Sequence, residues 1–151
     1  MPVITGIMVS PQSQHFGLCF RIHDRNITFE QAIEFLSLLR RQLQRKFILV
    51  LERYSARGRA VRLLQQAHPD WSEVEWLPAY APELNPVGMV WSHSKYGFLA
   101  NFIPGDVEDL RQAVAASLEA TGQHPPLLRS FRSCGALHCN CDRSLLLDEG
   151  Q

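Results

Sequence analysis

Hydrophobic positions change period several times along this chain, and each change predicts an element. Val3 to Val9 reads as a buried strand, Ser10 to Gln14 as a turn, and Phe16 to Ile22 as the partner strand of a hairpin. Apolar residues then recur at helical spacing, as Phe29, Ala32, Ile33, Leu36, Leu39 and Leu43. Thr28 followed by Gln31 supplies a capping box, so the spacing predicts an amphipathic helix of about four turns. Phe47 to Leu51 is a continuous apolar run ending in Glu52, as expected of a strand buried on both faces of an α/β layer. Open α/β sheets place their sites at the C-terminal ends of such strands, where Glu52 falls.

A second helix is expected from about Ser55 or Gly58 to Ala67, stopped by His68-Pro69, and a short strand from Val74 to Leu77. Asn85 caps a further helix with Pro86 in its first position, ending near Gly97. Asp106 caps another, with Val107, Leu110, Val114 and Leu118 as its apolar face and Gly122 as its stop. Leu127 to Phe131 predicts one or two more helical turns. From Cys134 onward no period is visible, and a loose tail is expected.

At 151 residues, 46% of them hydrophobic, the chain has enough material for one domain with a real core. No apolar run approaches the roughly eighteen residues of a membrane helix, and Met1 to Gly6 does not resemble a signal peptide. A cytoplasmic protein without membrane contact is expected. Net charge is zero, which argues against a dedicated nucleic-acid binder. The charge is unevenly spread, however: Arg40, Arg41, Arg45, Lys46, Arg53, Arg57, Arg59 and Arg62 face a single acid, Glu52, over that interval. Such a segment suits phosphates, with salt-dependent binding, or forms the solvated faces of two helices.

Cys19 lies in a strand-like run and reads as a small core residue. Cys134, Cys139 and Cys141, with His138 beside them, match neither the zinc-ribbon nor the zinc-finger spacing, so no zinc site is expected.

Leu77-Pro78-Ala79-Tyr80-Ala81-Pro82-Glu83-Leu84-Asn85-Pro86-Val87-Gly88-Met89-Val90-Trp91 carries the most specific signal. It resembles the strand, turn and helix that deliver the last catalytic carboxylate in mariner-like DDE transposases and their bacterial insertion-sequence relatives. In that family the residue after Asn-Pro-Ile/Val is a metal-binding Glu, and here it is Gly88. The resemblance runs from about Val3 to Phe131. It implies a partial DDE transposase domain over residues 1–132 and an irregular C-terminal tail over 133–151. The implied fold is an α/β, ribonuclease-H-like mixed sheet with flanking helices, its first, central strand missing.

The strand ending at Glu52 matches the one that ends in the family's second catalytic Asp. Where the family has Asp, then Asn, then His five residues after the Asp, this chain has Glu52, Arg53 and Arg57. Thirty-five residues separate Glu52 from Gly88, within the family's range. The family's first Asp lies on a strand before the hairpin and has no counterpart in that position. The resemblance therefore implies catalytic positions at Glu52, which alone would still ligate metal, and at Gly88, where the ligand is lost. Two-metal phosphodiester chemistry holds its ions roughly 3.5–4 Å apart and requires several oxygen ligands. Magnesium tolerates little departure from an octahedron. Glycine at the third helical position also forfeits a capping-box acid and costs up to about 1 kcal/mol of helix propensity, so helix stability does not account for it.

These features predict a DDE-type transposase remnant whose ancestral activity is Mg2+- or Mn2+-dependent DNA cleavage and transfer, now inactive. The alternative is a non-catalytic fragment that binds DNA or an intact transposase, with Arg53, Arg57, Arg59 and Lys95 as nucleic-acid contacts. An active nuclease completed by a separate upstream polypeptide is disfavoured by Gly88. Glu83 and Asp24 read as turn residues, and Trp76, Tyr80 and Trp91 as packing residues. A vacant central slot would leave strand edges unpaired, predicting a four-stranded sheet or dimerisation through that edge.

Overall fold

A computed structural model describes residues 1–10, 15–52, 58–78, 81–134 and 144–150, with Glu52, Gly58, Pro82, Cys134 and Ser144–Gly150 described by their backbone. The expected elements are present in the expected order. β1 (Val3–Ser10) and β2 (His15–Ile22) form the antiparallel hairpin. They are followed by α1 (Phe29–Leu43), β3 (Phe47–Glu52), α2 (Gly58–Ala67) and β4 (Ser72–Leu77). A 3-10 turn (Pro82–Leu84) leads to α3 (Val87–His93), which runs into a π-helical turn (Ser94–Phe98). Then come α4 (Val107–Gly122), α5 (Pro125–Cys134) and β5 (Ser144–Gly150).

The residues that predicted these boundaries also make them. The Gln31 side chain accepts the Thr28 backbone N–H at 2.9 Å, half of the capping box. Gln44 closes α1 at φ 50°, its N–H donating to the Arg40 carbonyl at 2.9 Å. Asp106 accepts the Asp109 N–H at 2.8 Å and starts α4. α5 is longer than the expected turn or two because Pro125 and Pro126 open the helix instead of breaking it, where a missing N–H costs nothing.

The sheet has five strands in the order β2-β1-β5-β3-β4. β5 runs antiparallel to β1 and parallel to β3, so it occupies the central position. Two expectations are corrected here. The segment foreseen as part of an irregular tail contains a strand, and the edges of β1 and β3 foreseen as unpaired are both covered by it. A continuous apolar triplet, Leu145-Leu146-Leu147, suits a strand flanked on both sides. With those edges paired, the route to dimerisation through them is closed.

Helices cover both faces. On one, Ile4, Phe47, Leu49 and Leu51 pack against Phe35, Leu36 and Leu39 of α1 and Val61 and Leu64 of α2. On the other, Val3, Ile7, Val9, Phe16 and Val50 pack against Val87 and Val90 of α3, Val114 and Leu118 of α4, and Leu128 and Phe131 of α5. Cys19 packs at the rim of the first cluster as a small hydrophobe. Its thiol donates to the Gly6 carbonyl at 3.2 Å, and burial pushes its pKa up to about 12. Val107 and Phe29 lie outside the core although their spacing put them on apolar faces. Val107 is 72% exposed, and Phe29 lies beneath Arg59 with the guanidinium 5.7 Å from the ring centre. Among the described residues no helix is long and apolar enough to cross a membrane.

Candidate functional site

Three elements converge where the candidate residues fall. β3 delivers Glu52 to the C-terminal end of the parallel part of the sheet, with Leu77 of β4 as its register partner. Position 52 is on the face of Ile48 and Val50, because side chains alternate along a strand and these residues are two and four positions away. This is the face covered by α3, whose Val87 and Val90 are fully buried in the same cluster as Val50 and Leu77. The two positions identified in the sequence, Glu52 and Gly88, therefore belong to one layer of the molecule.

The start of α3 is set by Asn85. Its buried side-chain oxygen accepts the Val87 N–H at 3.1 Å, and its carbonyl accepts the Gly88 N–H at 3.1 Å. Asn85 thus caps the helix, with Pro86 as the first helical residue. A Cβ placed on Gly88 would meet no atom within 4 Å. Neither a close approach nor a left-handed backbone explains this glycine, so the position has room for a longer side chain. The helix continues into the π-helical turn, a device often found near functional sites. There the buried hydroxyls of Ser94 and Ser117 meet at 2.6 Å and tie the turn to α4.

β5 brings a further acidic position to this end of the sheet by its backbone pairing. Its printed pairing with β3 runs Ile48 to Ser144, Leu49 to Leu145 and Val50 to Leu146, and continuing that register by two residues sets Asp148 beside Glu52. On its other side Asp148 pairs with Thr5 of β1. The signal was available: an apolar run ending in Asp148-Glu149 repeats the pattern of Phe47 to Glu52. Thr5 is fully buried and its hydroxyl has no hydrogen-bond partner. The Trp91 indole N–H, one turn along α3 from Gly88, is likewise buried and unpaired.

The remaining candidates scatter. Arg53, Arg57, Tyr80, His138, Cys139 and Cys141 lie outside the described residues. Arg59 and Arg62 are exposed on α2 and Arg41 on α1, in the layer across the sheet from α3, while Lys95 is exposed on the π-helical turn. Asp24 pairs with Arg111 of α4, and Glu83 is exposed in the 3-10 turn, both as turn residues would be. His93 packs against the Phe131 ring, centroids 5.8 Å apart. Trp76, expected as a packing residue, is 38% exposed on the edge strand β4. Among the described residues no three His, Cys, Asp or Glu side chains cluster as a metal site.

As to the group such a site would take, Glu52 is the one matched catalytic position that still carries an oxygen donor. Hard cations such as Mg2+ or Mn2+ match that chemistry. With glycine at position 88, the matched positions supply one carboxylate, fewer than the several oxygen ligands that a two-metal site requires.

A family model described as DDE superfamily endonuclease matches residues 7–111, from β1 into α4, a span that includes Glu52 and Gly88 and stops short of β5. Comparison with curated proteins and with solved structures returned no significant match.

Proposed function

Because the chain belongs to the DDE superfamily of endonucleases, we propose that it is the remnant of an insertion-sequence transposase catalytic domain that retains the outline of the family's fold and no longer cuts DNA. Gly88 carries this reading. The helix that presents position 88 is capped and packed over the sheet, the space around the position is open, and no carboxylate is there to use it. A bound divalent ion would polarise the phosphodiester and lower the pKa of an attacking water. Glu52 is the residue of the matched family segment that would hold it. One methylene more than the family's Asp displaces that carboxylate, and a misplacement of about 1 Å can cost about a hundredfold in rate.

The experiment is incubation of the purified chain with supercoiled DNA and Mn2+. No nicking above background is the expected outcome. Nicking that vanishes in Glu52→Ala would overturn the inactive reading.

A non-catalytic role, binding DNA or an intact transposase, is the second reading. It is favoured by the exposed Arg41, Arg59 and Arg62 on the α1/α2 layer, and by the exposed apolar Tyr96, Phe98 and Ile103 following α3. A DNA mobility shift that weakens with salt and is lost when Arg53, Arg57 and Arg59 are neutralised would support it. A shift indifferent to those residues would count against it.

A further inference from the structure

β2 is an edge strand, and it carries none of the features that keep such an edge from pairing. All eight of its residues are in continuous register with β1, without a bulge, a proline or a lysine. Among the described residues β1 is its one strand partner, so the backbone N–H and C=O groups along its outer side form a template for another strand. Beside that edge, between β2 and α1, lies a groove of about 310 Å3 lined by Met8, Cys19, Arg21, Phe35, Leu38 and Gln42. Leu38 is 40% exposed there, and Arg21 of β2 reaches Glu34 of α1 at 3.0 Å. The exposed charges of α1 and its C-terminal end are ordered about Leu38. Glu30 and Glu34 precede it and Arg41 and Arg45 follow, at spacings of three and four residues that keep all five on one side of a helix.

We propose that the β2 edge and the groove beside it form an interface between two copies of this chain, with β2 pairing antiparallel to its counterpart across a twofold axis. Such an axis, perpendicular to the sheet, continues the sheet from one copy into the other and leaves both α1 helices on the same face, antiparallel to each other. In an antiparallel ladder, opposed residues direct their backbone groups at one another in pairs. The axis therefore passes through a residue at the middle of β2, Leu18 or Cys19, and not between two residues. The two grooves then join, with Leu38 of each copy beside them. Antiparallel α1 helices also set acid against base: Glu30 and Glu34 of one copy meet Arg45 and Arg41 of the other. An unrelated peptide strand would satisfy the backbone edge, but only a second copy also matches this order of charges. The inference is independent of whether the chain cuts DNA.

The test follows the full chain by sedimentation velocity from micromolar to millimolar concentration, with folding checked by circular dichroism. A reversible dimer is expected, together with hydrogen-exchange protection of the β2 amides that rises with protein concentration. Leu38→Asp, at an exposed position, should weaken the dimer by about tenfold or more, because it sets like charges near the axis. Two charge-exchange chains make the test specific. One carries Arg41→Glu with Arg45→Glu, and the other Glu30→Arg with Glu34→Arg. Each should be monomeric at concentrations where the parent is a dimer, and the two should form a heterodimer when mixed, an outcome that misfolding does not imitate. A parent chain that stays monomeric throughout overturns the proposal and leaves the edge to a strand of another kind. A parent dimer unaffected by Leu38→Asp and by the charge exchange overturns it as well, and puts the contact elsewhere, as on the exposed Tyr96, Phe98 and Ile103.

Discussion

The two helical layers that sandwich the sheet differ in what they bury. Between the sheet and α1/α2 the interior is mostly aliphatic and aromatic, with buried Ser72 beside Phe47 and the unpaired buried Nη1 of Arg40 as its polar exceptions. Between the sheet and α3–α5 the apolar cluster is interrupted by the buried polar groups Thr5, Asn85, Ser94, Ser117 and Thr121, and by the unpaired Trp91 indole. Buried polar groups are kept at a cost, and more of them fall on the α3–α5 side. On the function proposed above, the first layer is support and the second carries position 88.

The sharpest way to break that comparison is to end the chain before Ser144. β5 pairs with strands on both sides, and α3 packs on β5, whereas α1 and α2 pack on β1, β3 and each other. Removing it exposes two strand edges and unsupports the site layer. The expected outcome is loss of a single cooperative urea transition, because the deficit is comparable to the roughly 5–15 kcal/mol by which domains are stable. In hydrogen exchange, amides of α3–α5 should lose protection before those of α1 and α2. Equal loss in both layers would contradict the division drawn here.

A smaller effect is expected at the hydroxyl pair inside the site layer. Ser117→Ala leaves the buried Ser94 hydroxyl without its 2.6 Å partner, at a cost of about 1–3 kcal/mol. Replacing both serines with alanine should recover most of that loss, and chemical denaturation of the two variants checks it. The smallest effect is expected where the layers meet. His23 is buried, and its pKa is lowered first by that burial and next by Arg21, while Glu34 of α1 and Asp24 act against the shift. A histidine held neutral adds stability that is present above its unfolded value of about 6.5 and lost as pH falls through the folded value. Thermal stability should therefore decline on acidification from about pH 6.5, and His23→Gln should flatten that decline.

Most of the sheet and its crossing helices were legible because each buries one face and so writes its period into the sequence. Phe47 to Leu51 is long enough to declare a buried strand. Leu145 to Leu147 is not: a central strand covered on both faces shows no alternation, and three leucines are too few to separate from chance. The first helical turn of α5 was hidden by its prolines, which read as a breaker until their N-terminal position is known. Glu52 and Gly88 were found through the segment around Asn85-Pro86. The place of β5 between β1 and β3 was not legible, because the order of strands distant in sequence is set by sheet pairing and not by local pattern.

The central claim is that position 88 is an open, vacated ligand position at the start of α3. Gly88→Glu tests it most directly, through Mn2+ affinity of the full chain, since the space around that Cβ is free and Asn85 already holds the helix start. A carboxylate restored there should tighten Mn2+ binding by about tenfold or more, in line with the sensitivity of metal sites to single ligands and their supports. Affinity unchanged in a folded Gly88→Glu protein would mean that α3 does not present position 88 to the site, and the account would fail.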